Sequence, residues 1–334
     1  MDGDPRGGLA ETAEVRPIRP EDSPMLARLV ERCYGDGYPK RVMYEPDELA
    51  AMIRSGDHNG VVAEARGEIV GHMAYLWPHG DAALVEAGIT VVDPEWRGKG
   101  LMGRLALAMG ESAVADGAIG FVHYPTTAHE VMQRASLSSG GRETGIMLAF
   151  LPPKARDRAI AEPGDHRVAV TVVYQPIVDA PAQEIFVPGR FEELVLRIAR
   201  ELGLRRTTAR PLRDPDGDTS LEQSVDSSFG LQSIRVRRVG TDIAERVASG
   251  LAASGARVTH VDLAMDDPGI DYAVEQLKPG GFAFSAWLPY WNGHDVLRLQ
   301  RVIDPTPPEL HPSLFSSEAE SLMKVIRPDL LGST

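Results

Sequence analysis

The hydrophobic pattern of the first 180 residues alternates between helical and strand periods. Apolar residues recur at helical spacing behind Asp22, in a second segment ending near Gly56, and in residues 100–117 and 129–138. The runs between them are rich in β-branched residues and predict strands at residues 12–20, 60–65, 69–76, 82–92, 118–124, 144–151 and 168–177. A meander of strands followed by strand, helix and strand predicts an α+β fold.

The second half of the chain repeats this order in outline. A strand at 184–187 and a helix ending before Gly203 lead to strands at 231–239, 258–265, 282–290 and 296–303. Asp214–Gly217 is predicted to be a hairpin turn between two strands, and Asp242-x-x-Glu245 to cap a helix that runs through residue 251. A further helix is expected at 270–277. We therefore predict two domains, 12–178 and 183–331, each a mixed, mostly antiparallel sheet flanked by helices.

Composition and charge narrow the possible partners. The 334 residues exceed what one core usually supports, and the net charge of −13 opposes binding to nucleic acid or an anionic membrane. No apolar run approaches the roughly 20 residues that span a bilayer, and the first residues are polar, so a cytoplasmic protein is expected. The only cysteine, Cys33, lies in an amphipathic helical pattern and is predicted to be a buried thiol. Nothing indicates an oligomer.

The segment between Val92 and Gly103 carries candidate chemistry. It follows a predicted strand, opens a predicted helix, and combines glycines with Arg97 and Lys99. Glycines let backbone approach a ligand closely, and the N–H groups of a first helical turn bind phosphate oxygens. The segment favours a diphosphate site over a plain strand-to-helix turn.

These residues resemble the signature of the GNAT superfamily of N-acetyltransferases, V-x-P-x-x-[QR]-x-x-G-x-[GA]. Val92, Pro94, Arg97 and Gly100 match it, whereas Met102 stands where the family usually has Gly or Ala. The resemblance extends over roughly residues 12–178 and implies acetyl-CoA as co-substrate. It implies a diphosphate held by Arg97, Gly98, Lys99, Gly100, Leu101, Met102 and Gly103, and pantetheine paired with the backbone of Thr90, Val91 and Val92.

Glu86 is the candidate general base. It stands eleven residues before Arg97, the spacing at which several members of the superfamily place such a glutamate. An amine acceptor arrives as ammonium at neutral pH and must lose a proton before it attacks a thioester. A surface-facing strand residue is the alternative interpretation of Glu86.

The sequence does not identify the group that protonates the leaving thiolate. Where the superfamily often has a tyrosine on its fourth helix, this chain has Ser136, so Tyr124, Ser136 or water would serve. Thr127 and Gln133 lie where that helix begins beside the cofactor in the superfamily. Thr126 and Thr127 would equally suit a helix cap.

The acceptor is expected to enter between the loop carrying Tyr34, Tyr38 and Tyr44 and the connection at 152–166. We expect no metal. Gln133 occupies the second histidine position of a zincin-like pattern, and the aspartates at 214–218 lie in too short a loop for an EF-hand.

The second half has Arg237–Asp242 in place of the phosphate loop, with one glycine and an aspartate at the predicted helix start, where a phosphate would be repelled. Similar tandem members of the superfamily pair a competent with a degenerate half.

We predict an enzyme that moves an acetyl or short acyl group from acyl-CoA to a small-molecule amine. A non-catalytic acyl-CoA-binding or sensor protein is the alternative. The sequence specifies neither the acceptor nor the acyl length.

Overall fold

A computed structural model describes residues 13–77, 83–153, 165–291 and 293–330. These residues form two compact units. Unit 1 contains residues 13–76 and 87–117, and unit 2 contains residues 77, 83–86, 118–153, 165–291 and 293–330. Each unit is described by itself.

Unit 1 is a strand meander with three helices. Its strands follow the order β1-β2-β3-β4, and β1 with β2 and β2 with β3 pair antiparallel. They are β1 (Glu14–Pro17), β2 (Asn59–Ala65), β3 (Glu68–Leu76) and β4 (Leu84–Val92, of which residues 87–92 belong to unit 1). The helices are α1 (Ser23–Tyr34), α2 (Pro46–Ser55) and α3 (Leu101–Ala115). Leu26, Leu29 and Cys33 of α1 are buried in the core of this unit, so the prediction of a buried thiol is confirmed.

Two buried histidines lie inside unit 1. The Nε2 atoms of His58 and His72 are 3.1 Å apart, and Nδ1 of His72 lies 2.9 Å from the Val61 carbonyl oxygen. Burial lowers the pKa of His58 to about 4, helped by Lys40, and lowers the pKa of His72 to about 3, helped by His58. The pair is therefore uncharged in the folded protein near neutral pH.

Unit 2 contains the other strands of the described residues. Its sheet follows the order β5-β7-β6-β13-β14-β12-β11-β10. These strands are β5 (Gly120–His123), β6 (Arg142–Leu151), β7 (Val168–Pro176), β10 (Ser220–Asp226), β11 (Leu231–Arg238), β12 (Val258–Ala264), β13 (Ala283–Leu288) and β14 (Val296–Val302). A separate parallel pair joins β8 (Gln183–Ile185) to β9 (Arg206–Thr208). The helices are α4 (Glu130–Ser138), α5 (Glu192–Glu201), α6 (Ile243–Ser254), α7 (Ile270–Leu277), α8 (Pro307–Leu310) and α9 (Ser317–Leu330).

The strand order of unit 2 is nearly symmetric about the contact between β6 and β13. From the outer strand toward this contact, the order is β5-β7-β6 on one side and β12-β14-β13 on the other. The two sets meet where Gly145 lies opposite Ala286. A Cβ at Gly145 would lie 2.2 Å from the Ser285 carbonyl oxygen, so this approach requires glycine. Unit 2 contains residues of both predicted domains, and the borders 12–178 and 183–331 remain a prediction.

The described residues confirm an α+β fold with a mostly antiparallel sheet, and two local predictions were wrong. Asp214–Gly217 does not form a hairpin turn, since β9 pairs with β8 and β10 pairs with β11. Asp242 precedes α6 without capping it, because its carboxylate accepts a hydrogen bond from the Thr219 N–H instead. A strand was expected after Gly217, and β10 begins at Ser220, whereas the sequence pattern had given no sign of α9.

None of the helices within the described ranges is long and apolar enough to cross a bilayer.

Candidate functional site

The loop between β4 and α3 folds back on its own strand. Asp93 accepts a hydrogen bond from the Glu95 N–H (3.0 Å), and residues 94–96 form one 3-10 turn with Trp96 buried. Nε of Arg97 donates to the Val92 carbonyl oxygen at 3.0 Å. These contacts fix the path of the backbone up to the first residue of α3.

Three glycines leave one side of this loop open. Gly98 (φ 72°) and Gly100 (φ 74°) have left-handed backbone, which other residues adopt at a cost. A Cβ added at Gly98, Gly100 or Gly103 would meet no described atom within 4 Å. The N–H groups of the first turn of α3 lie at the positive end of a 15-residue helix. The loop can therefore take an anion against its backbone.

A cation flanks the same loop. Nζ of Lys99 lies 5.0 Å from the centroid of the Trp96 ring, and Lys99 is exposed. The Trp96 ring holds this ammonium group beside the start of α3. Leu101 is buried and Met102 half-buried, so these two side chains anchor the helix and leave only their backbone for a ligand.

Strand β4 bends just before the predicted pantetheine segment. Ile89 has φ 50°, and a β-branched residue in this region is strained. Thr90 follows half-buried and Val91 buried in the core of unit 1. Regular strand geometry is interrupted here, where the resemblance requires free backbone groups.

The three tyrosines predicted to touch the acceptor contact one another in unit 1. The rings of Tyr34 and Tyr38 meet edge to face with centroids 4.8 Å apart. The hydroxyl of Tyr44 accepts a hydrogen bond from the Tyr38 N–H at 2.9 Å, and the Arg41 guanidinium lies 5.0 Å from the Tyr44 ring centroid. Tyr38 therefore contacts both Tyr34 and Tyr44, and these three residues are called the tyrosine cluster. Residues 154–164 of the second predicted flank, 152–166, lie outside the described residues.

Glu86 and Tyr124 lie in unit 2 and interact electrostatically. Glu86 is half-buried on β4, and Tyr124 follows β5 directly. Burial raises the pKa of Tyr124; the Arg298 cation opposes this rise, and the carboxylates of Glu86 and Asp262 add to it. The Tyr124 hydroxyl is buried beside the Arg298 guanidinium and makes no hydrogen bond of regular geometry with the described residues. Two of the three predicted catalytic residues thus lie within electrostatic range of each other.

Sequence reasoning missed the ion pair beside Tyr124. Nε and Nη2 of Arg298 donate to the two carboxylate oxygens of Asp262 at 2.7 and 2.8 Å. A signal was present in the period of the strands. His260 and Asp262 alternate with apolar residues in β12, as Arg298 and Gln300 do in β14, which places polar groups on one face of buried strands.

The other predicted residues of unit 2 bond within the protein. The hydroxyl of Thr127 donates to the Ala169 carbonyl oxygen (3.0 Å), and neither Thr127 nor Thr126 caps α4. The Gln133 amide bonds to the Ser313 carbonyl oxygen (3.2 Å) and the Phe315 N–H (3.1 Å). Ser136 is buried. Cofactor and catalytic roles for these side chains remain predictions.

The start of α6 is built differently from the start of α3. Gly240 packs so closely on residues 217–219 that a Cβ there would lie 2.2 Å from the Thr219 nitrogen. The Thr241 N–H donates to the Gly217 carbonyl oxygen (3.0 Å), and the Thr219 N–H donates to Asp242 (2.7 Å). The turn at 217–219 therefore occupies the space in front of this helix.

Within the described part of the chain, no group of three or more histidine, cysteine, aspartate or glutamate residues is placed to hold a metal ion.

Comparison with known proteins assigns part of the chain to a family. The model of the acetyltransferase (GNAT) family matches residues 23–134, which include the whole loop from Val92 to Gly103. The match shows a GNAT acetyltransferase domain over these residues. No curated protein matches the chain.

Several solved structures are similar to about half of the chain. A GNAT superfamily phosphinothricin acetyltransferase from Sinorhizobium meliloti, solved with acetyl-CoA, is 19% identical over 52% of this chain and 92% of its own, with a TM-score of 0.41. An N-acetyltransferase from Staphylococcus aureus is 16% identical over 49% and 98%, with a TM-score of 0.39. The ribosomal-protein-S18-alanine N-acetyltransferase from Escherichia coli is 13% identical over 51% and 96%, with a TM-score of 0.40.

Proposed function

We propose that this protein is an acyltransferase that moves an acetyl or short acyl group from acyl-CoA to a small-molecule amine. One observation carries the proposal: the open glycine loop at the start of α3 lies inside the segment that matches the GNAT family. Homology to that family implies acyl transfer from acetyl-CoA. The amine acceptor is the finer part of the proposal.

The loop fits the diphosphate of acetyl-CoA as a co-substrate. The backbone N–H groups of residues 98–103 would bind its oxygens, with the Arg97 and Lys99 cations beside them. The positive φ and open side of Gly98 and Gly100 support this assignment, because a side chain at either glycine would occupy the space of the ligand. The backbone of residues 90–92, after the bend at Ile89, would pair with the pantetheine.

The reaction we propose is direct attack. The acceptor nitrogen forms a bond to the acetyl carbonyl carbon, Glu86 takes a proton from that nitrogen, and the carbon–sulfur bond breaks. The sulfur leaves as thiolate and is protonated by Tyr124, Ser136 or water. The electrostatic interaction between Glu86 and Tyr124 supports a shared role in proton transfer.

The tyrosine cluster is proposed to contact the acceptor. Tyr38→Ala with Tyr44→Ala should raise the acceptor KM about tenfold and leave acetyl-CoA affinity unchanged, because the rings would touch only the second substrate. Calorimetry and initial rates measure the two quantities. Lost acetyl-CoA affinity with an unchanged acceptor KM would assign the cluster to the cofactor side.

The C-terminal half is proposed to be a degenerate second GNAT-like domain. Its strand order β10-β11-β12-β14-β13, with β11 parallel to β12, supports a repeat of the fold. The turn at 217–219 and the Asp242 carboxylate in front of α6 support the loss of its cofactor site. One acetyl-CoA per chain is therefore expected.

Incubation with acetyl-CoA and a mixed panel of amines, with products identified by mass, tests the proposal. An acetylated amine together with stoichiometric free CoA would support it. Tight acetyl-CoA binding without any product or thiol release would favour the non-catalytic acyl-CoA-binding alternative. Absence of acetyl-CoA binding would overturn both.

A further inference from the structure

A rigid buried ion pair lies on two central strands of unit 2. Arg298 on β14 and Asp262 on β12 are opposite residues in the antiparallel register. Their side chains are 9% and 11% exposed and form two parallel N–H to oxygen hydrogen bonds. This fork-to-fork arrangement fixes the plane of the guanidinium group.

Two further contacts hold the remaining side of the guanidinium. Nη1 of Arg298 lies 3.5 Å from the Met147 sulfur, and the guanidinium carbon lies 5.1 Å from the centroid of the Trp291 ring. Neither neighbour carries a charge. The bonds to Asp262 use Nε and Nη2 and leave Nη1 without a carboxylate partner within the described part of the chain. Tyr124 interacts with Arg298 electrostatically.

Tyr124 is held beside this cation by aromatic packing. Its ring centroid is 6.2 Å from that of Phe150, which in turn stacks on His260 at 6.0 Å. Its buried hydroxyl lies beside the Arg298 guanidinium and makes no hydrogen bond of regular geometry within the described part of the chain, although a buried hydroxyl without such a bond is costly. Packing alone therefore gives no reason for a tyrosine here instead of a phenylalanine.

We propose that Arg298, locked by Asp262, is the positioning residue for the Tyr124 hydroxyl, so that the C-terminal half completes the proton-transfer machinery of the acyltransferase. This inference rests on the proposed function. As the carbon–sulfur bond breaks, Tyr124 gives its proton to the thiolate sulfur, and the Arg298 charge stabilises the phenolate until a proton from water restores it.

Kinetics of thioester cleavage test whether Arg298 acts through Tyr124. Tyr124→Phe and Arg298→Met should each lower kcat on the order of 10²-fold without changing acetyl-CoA affinity. The double variant should be no slower than Tyr124→Phe alone, because both changes remove one function. Arg298→Lys, which keeps the charge, should recover part of the rate. Effects that multiply in the double variant, or a normal rate in Tyr124→Phe, would overturn the proposal.

A matched control separates positioning from stability. Arg206 and Asp295 form another buried bidentate pair in unit 2, with fully buried side chains. Arg206→Met should lower Tm about as much as Arg298→Met does and leave kcat within about twofold. Equal loss of kcat in both variants would reduce Arg298 to a structural role. If Arg298→Met alone does not fold, the double variant Asp262→Asn with Arg298→Met, which removes both charges, takes its place in these measurements.

A spectroscopic measurement tests the positioning without turnover. The chain has 8 tyrosines, and 3-fluorotyrosine would label all of them. The fluorine resonance that disappears in Tyr124→Phe belongs to Tyr124, and it should shift in Arg298→Met but not in Arg206→Met. An unmoved Tyr124 resonance would overturn the inference. If the wild type is inactive but the Tyr124 resonance still shifts in Arg298→Met, the result counts against the proposed function alone.

Discussion

The starts of α3 and α6 show two ways to satisfy the same helix terminus. Each helix follows a strand, and each begins with N–H groups that lack partners within the helix. In front of α3 the glycines at 98 and 100 leave open space, whereas in front of α6 the chain supplies its own turn at 217–219 and the Asp242 carboxylate. A helix start that the protein itself fills has no room for a diphosphate, and one left open needs a ligand or water.

Placing a carboxylate in the open loop should produce the largest effect. Gly100→Asp puts a negative charge and a side chain where the diphosphate is proposed to bind, and gives a non-glycine residue φ 74°. Acetyl-CoA binding should fall beyond detection, roughly 10²–10³-fold or more. Calorimetric titration measures it.

Gly255→Asp is the matched control for this change. Gly255 ends α6 with φ 60° and also has open space around it, so the backbone cost is similar without a charge in the proposed site. This variant should bind acetyl-CoA like the wild type. A second equivalent site per chain in the wild type would refute the contrast between the two helix starts.

Glu86→Gln tests the chemical step separately from acetyl-CoA binding at the start of α3. It should leave acetyl-CoA affinity unchanged and lower turnover by roughly 10²–10⁴-fold, because the amide cannot accept the proton of the acceptor. Glu111→Gln, an exposed position on α3, is the control and should keep full turnover. Wild-type rates in Glu86→Gln at neutral pH would remove Glu86 from the mechanism.

The contrast also explains what sequence could and could not predict. The glycines and helix start at 97–103 form one local signal, so the loop was predictable from composition and spacing. The turn at 217–219 closes on α6 from more than twenty residues away, and nothing local marks the Asp214–Gly217 segment as a cover instead of a hairpin. Arg298 and Asp262 are brought together only by the register of their strands. The alternation of polar and apolar residues in each strand indicates a polar face but does not identify the partner residue.

Acid should weaken unit 1, which contains the open loop, through its paired histidines. His58 and His72 are neutral when folded, with pKa values lowered to about 4 and about 3, and each has an ordinary pKa near 6.5 when unfolded. As pH falls below about 6.5, the unfolded chain takes up protons that the folded chain does not. The free energy of unfolding should fall by up to about 1.4 kcal/mol per pH unit for each histidine until pH nears the folded values.

Urea unfolding at pH 7 and pH 5 measures this loss. Buried His260 in unit 2, whose pKa burial lowers to about 3, adds to the loss in every variant. His58→Leu with His72→Phe should therefore reduce the pH dependence without abolishing it. An unchanged pH dependence in the double variant would show that the pair does not control acid stability.

The smallest effect is expected from removing the charge in front of α6. The Thr219 N–H bonds to the Asp242 carboxylate, and this hydrogen bond lowers the pKa of Asp242. Asp242→Asn keeps an acceptor and removes the charge, so Tm should fall by no more than about 3 °C, with Asp216→Asn, one residue before this turn, as the control. Acetyl-CoA should still not bind at α6, because the backbone of 217–219 occupies the space where its diphosphate would lie. A second binding site appearing in Asp242→Asn would mean that charge, and not the covering turn, is what closes this helix start.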